Sequence, residues 1–284
     1  MNADDHDFGP SASLEALRLR AELLKKLRLF FDRQGFLEVN TPVLSADTIV
    51  DLHLDPFRVT VFDDPCQPET GETWYLQTSP EFHMKRLVAA GAEAIYQVGP
   101  AFRGAETGPL HNIEFTIVEW YRVGDDMAAG IQRLSDLAEL LLQRGPSETV
   151  TYAEAFAAAT GLNPHQATDT QLTQAAARHR ESADSDSRND CLDILWTHAV
   201  EPNLARDHPV IICDYPATQS ALARLRNDAN GNLVAERFEL YCHGVELANG
   251  YHELTDVEEF KSRIEAANQA RKNQGKTPLS LIHI

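Results

Sequence analysis

With 284 residues, of which 43% are hydrophobic and 24% charged, the chain has ordinary globular composition and enough material for one large domain or two smaller ones with a sizeable core. A formal net charge of -18 excludes a broad, sequence-independent grip on a polyphosphate backbone, since that affinity comes from lysine and arginine displacing counterions. Four scattered cysteines (Cys66, Cys191, Cys213 and Cys242), an acidic start and the lack of a membrane-length apolar run exclude a disulfide framework, a cysteine zinc site and a membrane segment, so a cytoplasmic protein is expected.

Over residues 11–34, Leu17, Ala21, Leu24 and Phe31 recur at helical spacing, flanked by Leu23, Leu27 and Phe30, and Gly35 follows as a C-terminal cap. "FLEVNTPVLS" then reads as a short strand stopped by Pro42, which has no N–H to give a sheet ladder. "TWYLQTSPEFHMKRLVAAG" reads as a strand entering a helix, with Ser79 as N-cap, Pro80 at the first helical position and Glu81 at the positive end of the dipole. Residues 125–207 are mostly helical in pattern, broken by "GLNP" and by the solvated loop "ESADSDSRND". Strands return in "HPVIICDYP" and "ERFELYCHGVELANGYHEL", and a charged helix follows over about 256–272. The expected class is α+β: an antiparallel sheet carrying the glutamate-bearing strands, with helices around it.

Two stretches carry chemistry. In "RFELYCHGVELANGYHEL" a two-residue loop at His243-Gly244 would pair Tyr241 with Glu246 and Glu239 with Ala248, placing all four on one face. The two carboxylates would then be diagonal neighbours roughly 7–8 Å apart, able to share a Mg²⁺ with substrate phosphates, although a solvent-facing acidic strand reads the same way. In "FRGAETGPLHNIEFTIVEWYR", period two sets Ile117, Glu119 and Tyr121 on one face and Val118 and Trp120 on the other. A carboxylate on a half-apolar face needs a partner, and Arg103 has the fork that clamps a carboxylate or a phosphate. Taken singly, each of these residues also fits a structural ion pair.

"FRGAETGPLHNIEFTIVEWY" resembles motif 2 of the class II aminoacyl-tRNA synthetases, and the first helix with Pro42 resembles their dimer-forming motif 1. "TSPEFHMKRL" together with "GVELANGYHEL" is similar to the lysyl branch, and within it to paralogues that modify translation elongation factor P. The likeness covers about residues 11–274. It implies a single class II synthetase-like catalytic domain over residues 1–278 without an anticodon-binding domain, and a homodimer. It implies an ATP- and Mg²⁺-using ligase that activates lysine or (R)-β-lysine as an adenylate and passes it to a lysine side chain of elongation factor P rather than to tRNA. A stand-alone lysine-activating enzyme and a non-catalytic binding paralogue are the alternatives.

Carried over by position, the resemblance implies that Glu81 binds a substrate amino group in a pocket lined by Ser79 and Pro80. Glu119, Tyr121 and Glu253 would recognise the distal ammonium. Arg103 would contact the substrate carboxylate and the α-phosphate. Gly104, Ala105, Glu106, His111 and Asn112 would line the ATP site, with Leu240 and Gly250 against the nucleotide and Glu239 and Glu246 on Mg²⁺. Asn249 would place the carboxylate, and Ala248, where lysyl enzymes have glycine, would shift the pocket toward β-lysine. Two departures stand out. Motif 2 usually reads Arg-x-Glu, whereas here Gly104 and Ala105 precede Glu106. Motif 3, glycine-rich with an arginine on the phosphates, finds no match after Gly250, and "LSLIHI" resembles nothing in the family, so a gene fragment with a foreign tail over 279–284 is expected.

Overall fold

The computed structural model describes residues 10–179 and 187–280. Helix α1 (Leu14–Arg33) opens at Ser13, whose Oγ accepts from the Ala16 N–H at 3.1 Å, and ends before Gly35, whose φ of 77° only glycine adopts without strain. The stretch read as one strand stopped by Pro42 is two short ones instead. Strand β1 (Leu37–Glu38) and strand β2 (Leu44–Ser45) join different sheets, and the crossing between them is held by the Thr41 N–H donating to Gln97 Oε1 at 2.8 Å. After β3 (Arg58–Val61) and β4 (Glu72–Leu76) comes α2 (Glu81–Ala89), which begins one residue later than expected. Pro80 occupies the cap position, and Ser79 Oγ accepts from the Glu81 N–H at 3.0 Å.

Strands β5 (Ala94–Phe102) and β6 (Glu114–Arg122) pair antiparallel along their full length, with β1 parallel on the other side of β5. The predicted alternation in β6 holds: Val118 and Trp120 pack toward Phe31, Phe36 and Tyr96, and the Phe31 ring stacks on Tyr96 at 4.6 Å. Helix α3 (Met127–Leu142) is followed by β7 (Glu148–Thr151), a strand hidden in the helical stretch because Thr151 ends it and at once caps α4 (Tyr152–Thr160). Helices α5 (Asp169–Ala176) and α6 (Arg188–Leu195) follow, so the last residues of the acidic loop are helical; residues 181–186 of that loop lie outside the described residues.

Strands β8 (Val210–Pro216), β9 (Leu225–Asn227), β10 (Leu233–Cys242) and β11 (Val245–Tyr251) complete the largest sheet, ordered β11-β10-β8-β7 with β9 beside β10. Helix α7 (Val257–Asn273) closes the described chain. The glutamate-bearing strands are therefore divided between two hydrogen-bonded sheets, and two strand pairs, β1 with β5 and β7 with β8, are parallel within an otherwise antiparallel α+β fold.

The large sheet is covered on both faces. Leu134 and Ala138 of α3 pack against Ile211, Phe238 and Leu240, while Tyr152, Phe156, Leu192 and Trp196 pack against Ile212, Tyr215 and Tyr241. Each fully buried side chain of this size contributes about 1.5–3 kcal/mol of apolar transfer. Leu279 is also buried, with Ile49, Val50, Phe82 and Ile264, and its backbone bonds the Asn268 amide through both N–H and C=O. No helix among the described residues is long and apolar enough to cross a membrane.

Candidate active site

Strand β6 and helix α2 bring four ionisable side chains together, Glu119 and Tyr121 from the strand and Glu81 and Lys85 from the helix. Glu119 Oε1 accepts from the Tyr121 hydroxyl at 2.7 Å and Oε2 from Ser79 Oγ at 2.5 Å. Glu81, at the start of α2, and Glu253, just past β11, share Lys85, whose Nζ lies 2.7 Å from each carboxylate. Burial, reinforced by the Glu81 charge, pushes the Glu119 carboxyl up to about 7, although Ser79, Tyr121 and Lys85 pull the other way. Glu253 is likewise pushed up to about 7 by burial, against the pull of Lys85. Burial alone would lower the Lys85 ammonium, but the Glu81 and Glu253 carboxylates hold it well above the usual lysine range. The structure thus brings Ser79, Glu81, Glu119, Tyr121 and Glu253 together, with Pro80 between Ser79 and Glu81 in the chain.

Arg103 follows the last residue of β5 and reaches the backbone beside this cluster. Its Nε donates to the Thr78 carbonyl at 3.3 Å, its guanidinium lies 5.0 Å from the centre of the Phe115 ring, and Glu106 is its nearest carboxylate at 3.8 Å. The displaced acid of motif 2 thus folds back on the arginine, through a backbone that turns left-handed at Ala105 (φ 63°). Gly104 donates its N–H to the Asp55 carbonyl at 2.7 Å, and Asp55 is itself gripped by Arg271 and Lys276. His111 closes a tight turn with Gly108 by two backbone hydrogen bonds, leaving His111 and Asn112 exposed at the loop tip.

On the large sheet the predicted loop is present, with Cys242 opposite Val245 and Tyr241 opposite Glu246, but the register then slips. A bulge at Leu247 sets Leu240 opposite Ala248 and Glu239 opposite Asn249, so the expected pairing of Glu239 with Ala248 is wrong. The slip carries Ala248 and Gly250 to the face of Leu240 and Phe238 and brings Asn249 to the glutamate face. Ala248 packs with Phe238 and Leu240, and a methyl at Gly250 would sit 2.4 Å from the Phe238 ring. Ala248, Leu240 and Gly250 therefore present their side-chain face to α3, not to a ligand on the glutamate side.

Glu239 is buried and fully engaged: Tyr215 and Tyr241 donate to Oε2 at 2.5 and 2.7 Å, and Arg237 pairs with Oε1. Arg237 also lies over the rings of Tyr215 and Tyr251. A Mg²⁺ shared by Glu239 and Glu246 does not fit this arrangement, because a dication at Glu239 would meet a guanidinium already bonded there. Glu246 keeps an open side, bonds Asn249, and is pushed up to about 7 by the protein around it and by the Glu239 charge. Among the described residues no group of three or more His, Cys, Asp or Glu side chains could hold a metal.

Residues 7–280 match the family model for tRNA synthetases class II (D, K and N). The chain belongs to the class II tRNA synthetases. Similar proteins include the elongation factor P–(R)-β-lysine ligase of Pasteurella multocida, 42% identical over 96% of this chain and 83% of that protein. Those of Vibrio vulnificus (42% identical, 96% and 84% covered) and Yersinia enterocolitica (43% identical, 94% and 82% covered) are alike. In this class II chain, Lys85, Arg237, Tyr215 and Tyr251 escaped the sequence reading. Only Lys85 left a signal, its spacing of four from Glu81 on one helix, which predicts contact.

Proposed function

We propose that this chain activates (R)-β-lysine with ATP as an aminoacyl-adenylate and transfers it to a lysine side chain of translation elongation factor P. The observation that carries this reading is the cluster of three carboxylates, Glu81, Glu119 and Glu253, beside the guanidinium of Arg103. Such a pocket complements an amino acid with two ammonium groups and one carboxylate. The names of the similar proteins point to the same substrate and acceptor.

In this reading the ammonium groups bind the glutamates and the substrate carboxylate points at Arg103. A carboxylate oxygen attacks the α-phosphorus in line, forming the P–O bond as the bond to pyrophosphate breaks, while the guanidinium neutralises charge gathering on the α-phosphate. The neutral amine of the acceptor lysine then attacks the mixed anhydride carbonyl, AMP leaves with the bonding pair, and the nitrogen gives up one proton to solvent to leave the amide. Mg²⁺ would accompany the phosphates, with Glu246 rather than Glu239 as the open carboxylate on the protein. Glu106, His111 and Asn112, on the loop beyond Arg103, would face the nucleotide. A homodimer belongs to this reading, supported by the exposed Leu14, Leu17 and Leu19 of α1. Residues 1–278 would form one catalytic domain.

Amino-acid-dependent ATP–pyrophosphate exchange, run with α-lysine and (R)-β-lysine, tests the activation step. Exchange favouring β-lysine is expected, and Arg103→Ala should lower it roughly 10²–10³-fold, the usual cost of removing a donor from a developing charge. Mass spectrometry then locates the product: added lysine on elongation factor P supports the reading, and added lysine on tRNA overturns it.

A further inference from the structure

Among the described residues, Lys85 is the cation paired with the Glu81 and Glu253 carboxylates, and the next guanidinium, that of Arg237, lies over the Tyr251 ring. The groups that face it are Glu81 from its own helix, Glu119 and Tyr121 from β6, Glu253 beyond β11, and Tyr251 on β11 nearby. Its Nζ is 2.7 Å from both Glu81 and Glu253 and 6.0 Å from the centre of the Tyr121 ring, and its side chain is 23% exposed. An isolated surface pair would contribute little. A single ammonium bridging two carboxylates in a mostly enclosed site is different, because removing it leaves charge with no partner.

We propose that Lys85 is a positioning residue: it holds the carboxylates of Glu81 and Glu253 to a common point and fixes the formal charge that the pocket presents to a diamino acid. With Glu81, Glu119 and Glu253 ionised and Lys85 charged, that formal charge is -2, matching the two ammonium groups of the substrate assigned above. The proposal rests on that assignment. Without Lys85 the same three carboxylates repel one another uncompensated, so the pocket takes up protons at a higher pH and its carboxylates lose their common aim.

The test is calorimetric binding of (R)-β-lysine to the purified chain, without ATP, as a function of pH, for wild type, Lys85→Arg, Lys85→Gln and Lys85→Ala. Wild type and Lys85→Arg are expected to share one acid limb, where affinity falls as the carboxylates protonate. In Lys85→Gln that limb should move up by about one pH unit, which weakens binding by up to about tenfold at pH 6.5 and leaves near parity at pH 8.5. In Lys85→Ala, added methylammonium should draw the limb back in a saturable way and leave wild type unaffected. A folded Lys85→Gln or Lys85→Ala protein with the wild-type limb and no response to methylammonium overturns the proposal, since a merely structural lysine would change stability and not the titration. If one of the two fails to fold, the other decides. Wild type that binds neither α- nor β-lysine overturns the diamino-acid reading beneath it as well.

Discussion

At the scale of single residues, the contact that sets the arginine of motif 2 is a backbone one. Gly104 approaches Asp55 so closely that an added Cβ would lie 2.9 Å from the Asp55 carbonyl oxygen, a backbone atom that cannot swing aside. That carbonyl belongs to a segment pinned by Arg271, which donates to the Asp51 and Leu54 carbonyls and to the Asp55 carboxylate. Gly104→Ala should therefore push the loop, and Arg103 with it, off its seat. We expect a loss of about 1–3 kcal/mol in stability, typical of overpacking, with a proportionally larger fall in pyrophosphate exchange than in melting temperature. An alanine variant with unchanged exchange would show that the Asp55 contact does not position Arg103. The sequence displayed Arg103 and the alternation of Glu119 and Tyr121, because period two is local. It could not display Asp55 beside Gly104, or Glu253 beside Lys85, since those neighbours are brought together only by folding.

At the scale of elements, strand β11 shows where local pattern stops. His243-Gly244 announced the hairpin, and Gly244 indeed has the positive φ that such a loop requires. The bulge was silent because alternation on either side of Leu247 is equally good in both registers; what selects one is packing against α3. The Phe238 ring is wedged between two glycines, Gly250 across the ladder and Gly130 on α3, where added methyls would come within 2.4 and 2.9 Å. Gly250→Ala should cost about 1–3 kcal/mol by overpacking, and Phe238→Leu in the same chain should recover part of that loss by emptying the crowded volume. Chemical denaturation of the two single variants and the double variant measures the coupling. Strict additivity would mean that the ring does not choose the register. Helix α7 was legible to within a residue at each end, whereas α1 reads from residue 11 and starts at Leu14, after the cap Ser13.

At the scale of the whole molecule, an acidic chain that concentrates carboxylates in its candidate site should be less stable as those carboxylates ionise. Glu119 and Glu253 are each pushed up to about 7, chiefly by burial, whereas in the unfolded chain they titrate near the ordinary glutamate value. Between those two values the folded state holds more protons than the unfolded one, so these groups favour folding at low pH, and that contribution is lost as pH rises through about 7. His83 and His165 act in the opposite sense, because burial lowers both, but their effect is complete once pH exceeds the ordinary histidine value. The clean window is therefore pH 6.5 to 8, over which the melting temperature should fall. A diamino acid reverses the sign of the effect: its ammonium groups favour the ionised carboxylates, so binding within this window should release protons and restore the lost stability. Calorimetry in two buffers of different ionisation enthalpy counts those protons. A melting temperature that rises from pH 6.5 to 8, or ligand binding that takes protons up, would contradict the charge state assigned to this pocket.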